Sequence, residues 1–314
     1  MHFKFEFYQS DRYDDWNDFI QNCKNSHFMF HRDYIEYHAE RFQDKSIIIL
    51  DAQDKLKFVI PANIEGEILY SHQGLTFGGI LMAPKTNAEE VLYLIKGLIE
   101  FLKQEKNIRK FIYKKMPQFY STYPSHEDLY ALFRAGASLI RRDITSTIKL
   151  DKRLPYSKGR KWSISKAKKL GLTITVTNDL SKFWDLLTEV LLKRHDVIPT
   201  HSLSEMVLLK NKFPDNIQCY EVWEGEKLVS GALLYITDTV VHTQYLANSV
   251  RGRQIFALDY LVDFLIARYT GVKSYFDFGI STEEQGKMLN CGLIAQKEAF
   301  GARGFVHDFY EVVI

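Results

Sequence analysis

A chain of 314 residues is longer than one hydrophobic core usually organises, so two domains are expected. With 46% apolar and 25% charged residues, it excludes a disordered or fibrous chain, and 41 basic against 39 acidic residues leave a charge of +2, no general field for nucleic acid. Cys23, Cys219 and Cys291 are too few and too scattered for a disulfide framework or a zinc site, and no metal is expected.

From the N-terminus, Trp16, Phe19, Ile20 and Cys23 recur with helical spacing, and a second helix is expected over residues 32–41. Two β-rich runs flank the polar turn Asp51 to Lys55, a hairpin signature, and a further strand is predicted from Leu75 to Met82. Asn87 and Glu90 form a capping box before an amphipathic helix reaching Glu105. A strand at 110–114, a helix at 127–135 and a strand at 145–150 complete the first half.

The second half repeats the order. Helices are expected over 180–194 and 203–212, a hairpin about Glu224–Gly225, and a strand over 239–246. A long helix over 255–269, a strand SYFDFGI, a short helix over 283–289 and a closing strand follow. Trp16 pairs with Trp184, and the turn Asp51–Lys55 pairs with Glu224–Lys227. The fold class is therefore α/β (α+β), a tandem of mixed, mainly antiparallel sheets flanked by helices, divided into residues 1–150 and 151–314.

Three stretches could carry chemistry. Residues 157–171 hold Lys158, Arg160, Lys161, Lys166, Lys168 and Lys169 without an acidic group, which suits either a phosphate-bearing ligand or a solvated helix face. Arg251-Gly252-Arg253-Gln254, just before a helix, suits an anion such as a coenzyme pyrophosphate. Residues 276–310 concentrate Asp277, Glu283, Lys297, Arg303 and other charged groups, readable equally as a reaction site or as ion pairs and helix-end charges.

The order FDFGIST, a short helix, Asn290-x-Gly292-Leu293 and then Gln296-Lys297-Glu298-Ala299-Phe300-Gly301-Ala302-Arg303 resembles the C-terminal half of FemAB/FemX-like acyltransferases of the GNAT superfamily. The upstream run KAKKLGL fits the same arrangement, and the resemblance extends over the chain as two GNAT-like domains. It implies transfer of an acyl or aminoacyl group to an amine, with many relatives serving peptidoglycan or surface polysaccharide synthesis. It places Lys297 at the reacting carbonyl, where an ammonium stabilises developing oxyanion charge. Asp277 matches the acidic residue of the family's aromatic-Asp strand.

The incoming amine must shed a proton to a nearby carboxylate or water, for which Asp277 or Glu283 is the candidate, and Tyr310 is the candidate to return one to the leaving group. Residues 249–254 approximate the superfamily's CoA signature, so Arg251, Gly252, Arg253 and Gln254, with Asn290, form the donor set for acetyl-CoA or another acyl-CoA. His72, Lys114, Tyr120 and Tyr123 of the first domain, with Arg160, Lys161 and Arg303, form the acceptor set, the first domain walling the acceptor groove without catalysing. The acceptor expected is the amine of a small-molecule or nucleotide-linked sugar or cell-wall precursor. Two rivals stand beside this: an aminoacyl-tRNA-dependent transferase, with tRNA as partner, and a non-enzymatic glycan-binding scaffold. No run of ~20 apolar residues is present, so a cytoplasmic protein without integral membrane contact is expected, its presence at the inner membrane surface left open.

Overall fold

The structure, a computed structural model, describes residues 2–314, His195 by its backbone alone. The chain divides into two compact units: Met1–Asp143 with Glu284–Lys287 and Val306–Ile314, and Ile144–Glu283 with Met288–Phe305. The first boundary between these units lies at 143/144, and residues 306–314 return to the first unit.

The first half contains β1 (Lys4–Phe7), α1 (Tyr13–Gln21), α2 (Arg32–Ile35), β2 (Gln43–Asp44), β3 (Ile47–Leu50), β4 (Leu56–Ile60), β5 (Asn63–Glu65), β6 (Ile68–Tyr70), β7 (Leu81–Met82), α3 (Ala88–Gln104), β8 (Lys110–Lys114), α4 (Glu127–Arg134) and β9 (Ser138–Lys149). The second contains α5 (Lys158–Ala167), β10 (Thr173–Thr177), α6 (Ser181–His195), α7 (Leu203–Lys212), β11 (Ile217–Glu224), β12 (Lys227–Ile236), β13 (Val240–Asn248), α8 (Val250–Gln254), α9 (Ala257–Tyr269), β14 (Tyr275–Ile280), β15 (Thr282–Glu283), β16 (Met288–Leu289), α10 (Cys291–Glu298) and β17 (Arg303–Val313). Omitting the short insertions β2, β5, β6, α8, β15 and β16, and counting from β1 and β10, each half runs strand, two helices, three strands, helix, strand, helix, strand.

In the first unit β1, β3, β4 and β7 form an antiparallel sheet, and the C-terminal part of β17 lies beside β8, β6, β5 and β2 in a second one, with β6 and β8 parallel. In the second unit the order is β10-β11-β12-β13-β14-β9, antiparallel except for β13 and β14. Mixed, mainly antiparallel sheets with flanking helices are therefore what the chain builds.

The first core forms because α3 buries Val91, Leu94, Ile95, Leu98 and Leu102 along one stripe, each contributing about 2 kcal/mol of burial. Its start is the expected capping box: Asn87 accepts from the Glu90 N–H while Glu90 accepts from that of Asn87. The second core packs Leu261, Val262, Leu265 and Ile266 of α9 against Tyr220, Val229, Ala232 and Val241.

Two elements differ from the expectation. Only Leu81–Met82 of the strand predicted over 75–82 is strand, because the preceding backbone turns around the Lys114 ammonium, which donates to the carbonyls of His72, Gln73 and Leu75. Residues 283–289 are a small hairpin, β15 paired with β16, because Glu284, Gln285 and Gly286 take left-handed conformations that end a helix. The helix begins after it: Asn290 accepts from the Leu293 N–H and caps α10. Among the described residues no helix is long and apolar enough to cross a membrane.

Candidate active site

Strand β14 positions the site. It pairs with β13 only at Val240↔Tyr275, Val241↔Phe276 and His242↔Asp277. Beyond His242 the two strands have no common ladder, although β13 runs on to Asn248, so the β13 edge that faced β14 can receive an extended chain. On its other side β14 slips against β9 between Asp277↔Thr147 and Ile280↔Thr145, a bulge containing Gly279 at φ +74°.

At the last shared rung lies a buried network. Asp277 accepts from the Thr145 hydroxyl at 2.5 Å and the Thr147 hydroxyl at 2.8 Å through one oxygen, and faces Nδ1 of His242 at 2.7 Å through the other. Burial pushes the Asp277 carboxyl up, but the hydrogen bond and charge of His242 and the two hydroxyls outweigh it and leave the acid below its ordinary range. An ionised Asp277 accepts the Nδ1–H of His242 and orients the ring, which leaves Nε2 as the ring nitrogen available to a substrate proton. Gly279 gives the ring its room: a Cβ there would lie 3.2 Å from the His242 Cε1.

Lys297 closes the other side of the bulge. Its ammonium donates to the carbonyls of Gly279 at 2.9 Å and Ile280 at 2.7 Å and to the Ser281 hydroxyl at 2.9 Å. Burial lowers its pKa to about 8, against the opposing pull of Asp277. Three donors meeting three acceptors make Lys297 a clamp on the bulge, so its expected place at an oxyanion is already occupied by the chain's own oxygens.

The other expected residues are dispersed. Glu283 lies on the β15–β16 hairpin, exposed, accepting from Asn290 Nδ2 at 2.7 Å. Tyr310 donates to Asp308, which also accepts from Nε and Nη2 of Arg142, so its hydroxyl is committed in the first unit. Lys114 is buried on three carbonyls with its pKa lowered to about 7 by burial; His72 and Tyr120 are buried too, and these three face the interior. Tyr123, Lys161 and Arg303 are exposed. Arg160 is an internal brace, paired with Asp259 of α9 and 4.2 Å from the Phe300 ring.

The expected anion cradle is also differently built. The Gly252 N–H is taken by the Ser249 hydroxyl at 2.9 Å, Arg251 is paired with Glu224 at 2.5 Å, and Arg253 donates to the Asn248 carbonyl. Exposed Gln254 ends α8. Gly252 is glycine because a Cβ would overlap the Val229 carbonyl and the Asn248 side chain. Gly252→Ala is therefore expected to destabilise the ligand-free protein by about 2 kcal/mol, a fall of roughly 5 °C in Tm by circular dichroism; an unchanged Tm would return this glycine to a ligand-binding role.

Sequence reasoning found Asp277 and missed His242, Thr145, Thr147 and Ser281. The alternation Thr145-x-Thr147 places both hydroxyls on one strand face, the one available signal. Among the described residues no group of three or more His, Cys, Asp or Glu is placed to hold a metal.

No family model matches the chain, and no curated protein does. Among solved structures it is similar to FemX, with 11% identity and a TM-score of 0.68 over 99% of this chain and 97% of that one. It is also similar to L-PGS from Bacillus licheniformis, at 12% identity and a TM-score of 0.63 over 98% of this chain and 92% of that one. A tandem GNAT protein from the clavulanic acid biosynthesis pathway aligns at 8% identity and a TM-score of 0.52 over 99% and 98% of the two chains. The chain has the FemX-like tandem GNAT fold that its residues resemble.

Proposed function

We propose that the protein transfers an acyl group from an activated ester to an amine, with His242 as the base. The observation that carries this is the His242–Asp277 pair at the point where β13 and β14 part. An acceptor amine attacks the ester carbonyl carbon, Nε2 of His242 takes the amine proton, and the imidazolium passes that proton to the leaving oxygen or sulfur as the ester C–O or C–S bond breaks, releasing an alcohol or thiol. Asp277 remains ionised throughout and stabilises the imidazolium. The β13 edge beyond His242 holds the extended part of one substrate.

The donor can be acetyl-CoA or an aminoacyl ester on tRNA, and the start of α8 favours the second. A CoA pyrophosphate there would meet the Glu224 carboxylate and a Gly252 N–H already capped by Ser249. The acceptor class is the amine of a sugar or cell-wall precursor, the class that FemX-like enzymes suggest. Purified protein would be incubated with acetyl-CoA or charged tRNA and a panel of amino sugars and nucleotide-linked peptides, with amide products read by mass spectrometry. The expected result is an amide from the aminoacyl ester that is lost in His242→Gln. Product from acetyl-CoA alone would overturn the donor assignment, and no product from either donor with the folded protein would overturn the reaction.

A further inference from the structure

From Lys152 to Asn178 the chain carries eight basic residues and no acidic one. Helix α5 within this stretch has two faces. Inward, Ser163, Ile164 and Ala167 are buried and Arg160 pairs with Asp259 of α9, while half-exposed Lys168 pairs with Asp263 of the same helix. Outward lie two rows at four-residue spacing, Lys161–Ser165–Lys169 and Trp162–Lys166–Leu170, the last two residues of which continue from the helix into its terminal turn.

The outward rows combine charge with large apolar surface. Trp162 is 55% exposed and Leu170 47%, and Leu154, just ahead of the helix, is 45% exposed. The Trp162 indole stands edge-on to Phe256, 5.4 Å between centroids, with the Lys166 ammonium 4.6 Å from its ring. Alternating lysines and water-exposed Trp and Leu are poorly placed for water alone. They match a surface that is anionic at its headgroups and apolar just beneath, where lysine stems run along the apolar layer and their ammonium groups return to the phosphates.

We infer that the outward face of α5 docks on an anionic phospholipid bilayer. The complementary charge favours an anionic partner, and the composition favours lipid over RNA. Apart from the two paired cations, the stretch offers Lys152, Arg153, Lys158, Lys161, Lys166 and Lys169, five lysines and one arginine. RNA grooves use stacked aromatic platforms and arginine planes, to which Leu154 and Leu170 add nothing. The inference is independent of the reaction proposed above.

The test is flotation of the full chain with phosphatidylcholine vesicles, with and without phosphatidylglycerol, at physiological salt. Binding is expected only to the phosphatidylglycerol vesicles, with a blue shift of tryptophan emission that is absent in Trp162→Phe. Replacing Lys161, Lys166 and Lys169 together by Gln should weaken vesicle binding about a hundredfold, since each lysine near such a surface contributes about 1 kcal/mol. These side chains are exposed, and circular dichroism would confirm that the variant folds. Equal binding to neutral vesicles, no binding to anionic ones, or an unaffected triple variant would overturn the inference. So would retention on single-stranded RNA without vesicle binding.

Discussion

His242→Gln is expected to reduce turnover about a thousandfold with little change in KM, the range for removal of a positioned general base. The glutamine fills the space of the imidazole without offering a group able to take a proton. Asp277→Asn is expected to lower turnover at least as far, because an amide facing Nδ1 no longer stabilises a cationic ring and can select the wrong tautomer. Thr145 and Thr147 keep an oxygen acceptor in that variant, so it should fold. Asp277→Ala should not be read in the same way: two buried hydroxyls and the imidazole lose their common partner, at a cost of about 3 kcal/mol or more. Single-turnover amide formation is the measurement that separates the steps. Wild-type turnover in His242→Gln would remove the base from the mechanism while leaving the transferase reading to the product assay.

Lys297→Met carries the second large effect, and it separates a clamp from an oxyanion donor. The methionine preserves volume but leaves the carbonyls of Gly279 and Ile280 and the Ser281 hydroxyl without their donor, at an expected cost of about 2 kcal/mol by urea unfolding at pH 7. Its pH dependence has a definite sign. The folded pKa of about 8 lies below the ordinary lysine value, so the unfolded chain holds the proton more tightly. The penalty of burying the ammonium is full below pH 8 and is relieved as pH rises towards the unfolded value, so the wild type should gain about 2 kcal/mol between pH 8 and 10. Lys114, lowered to about 7, acts with the same sign but is common to both proteins. The difference between wild type and Lys297→Met therefore isolates Lys297; parallel pH curves would show that it is not the titrating clamp.

The frame of this site was legible in the sequence because it rests on periodicity. The α3 stripe, its capping box and the Asp51–Lys55 and Glu224–Lys227 hairpins all declare themselves within a few neighbouring residues. The hairpin at 282–289 did not, because three successive left-handed residues are set by backbone packing and only one of them is glycine. His242 was hidden for a different reason: it meets Asp277 across a parallel rung, 35 positions away, and parallel pairing leaves no turn between partners to mark the register. Arg160 and Lys114 show the converse. Both have the chemistry of a ligand-binding residue, and both are committed to internal partners that composition does not reveal.

The return of the last strand to the first unit bears on how the protein is made. Val313 to Phe309 pair with Lys110 to Lys114, so β8 keeps an open edge while nearly two hundred further residues are synthesised. During that interval the nascent first unit presents an unpaired, apolar strand margin, the kind of surface that invites chaperones or mispairing. Completion of the first unit must therefore wait for synthesis of the second, and a fragment ending at residue 143 would be born with the same unfilled edge.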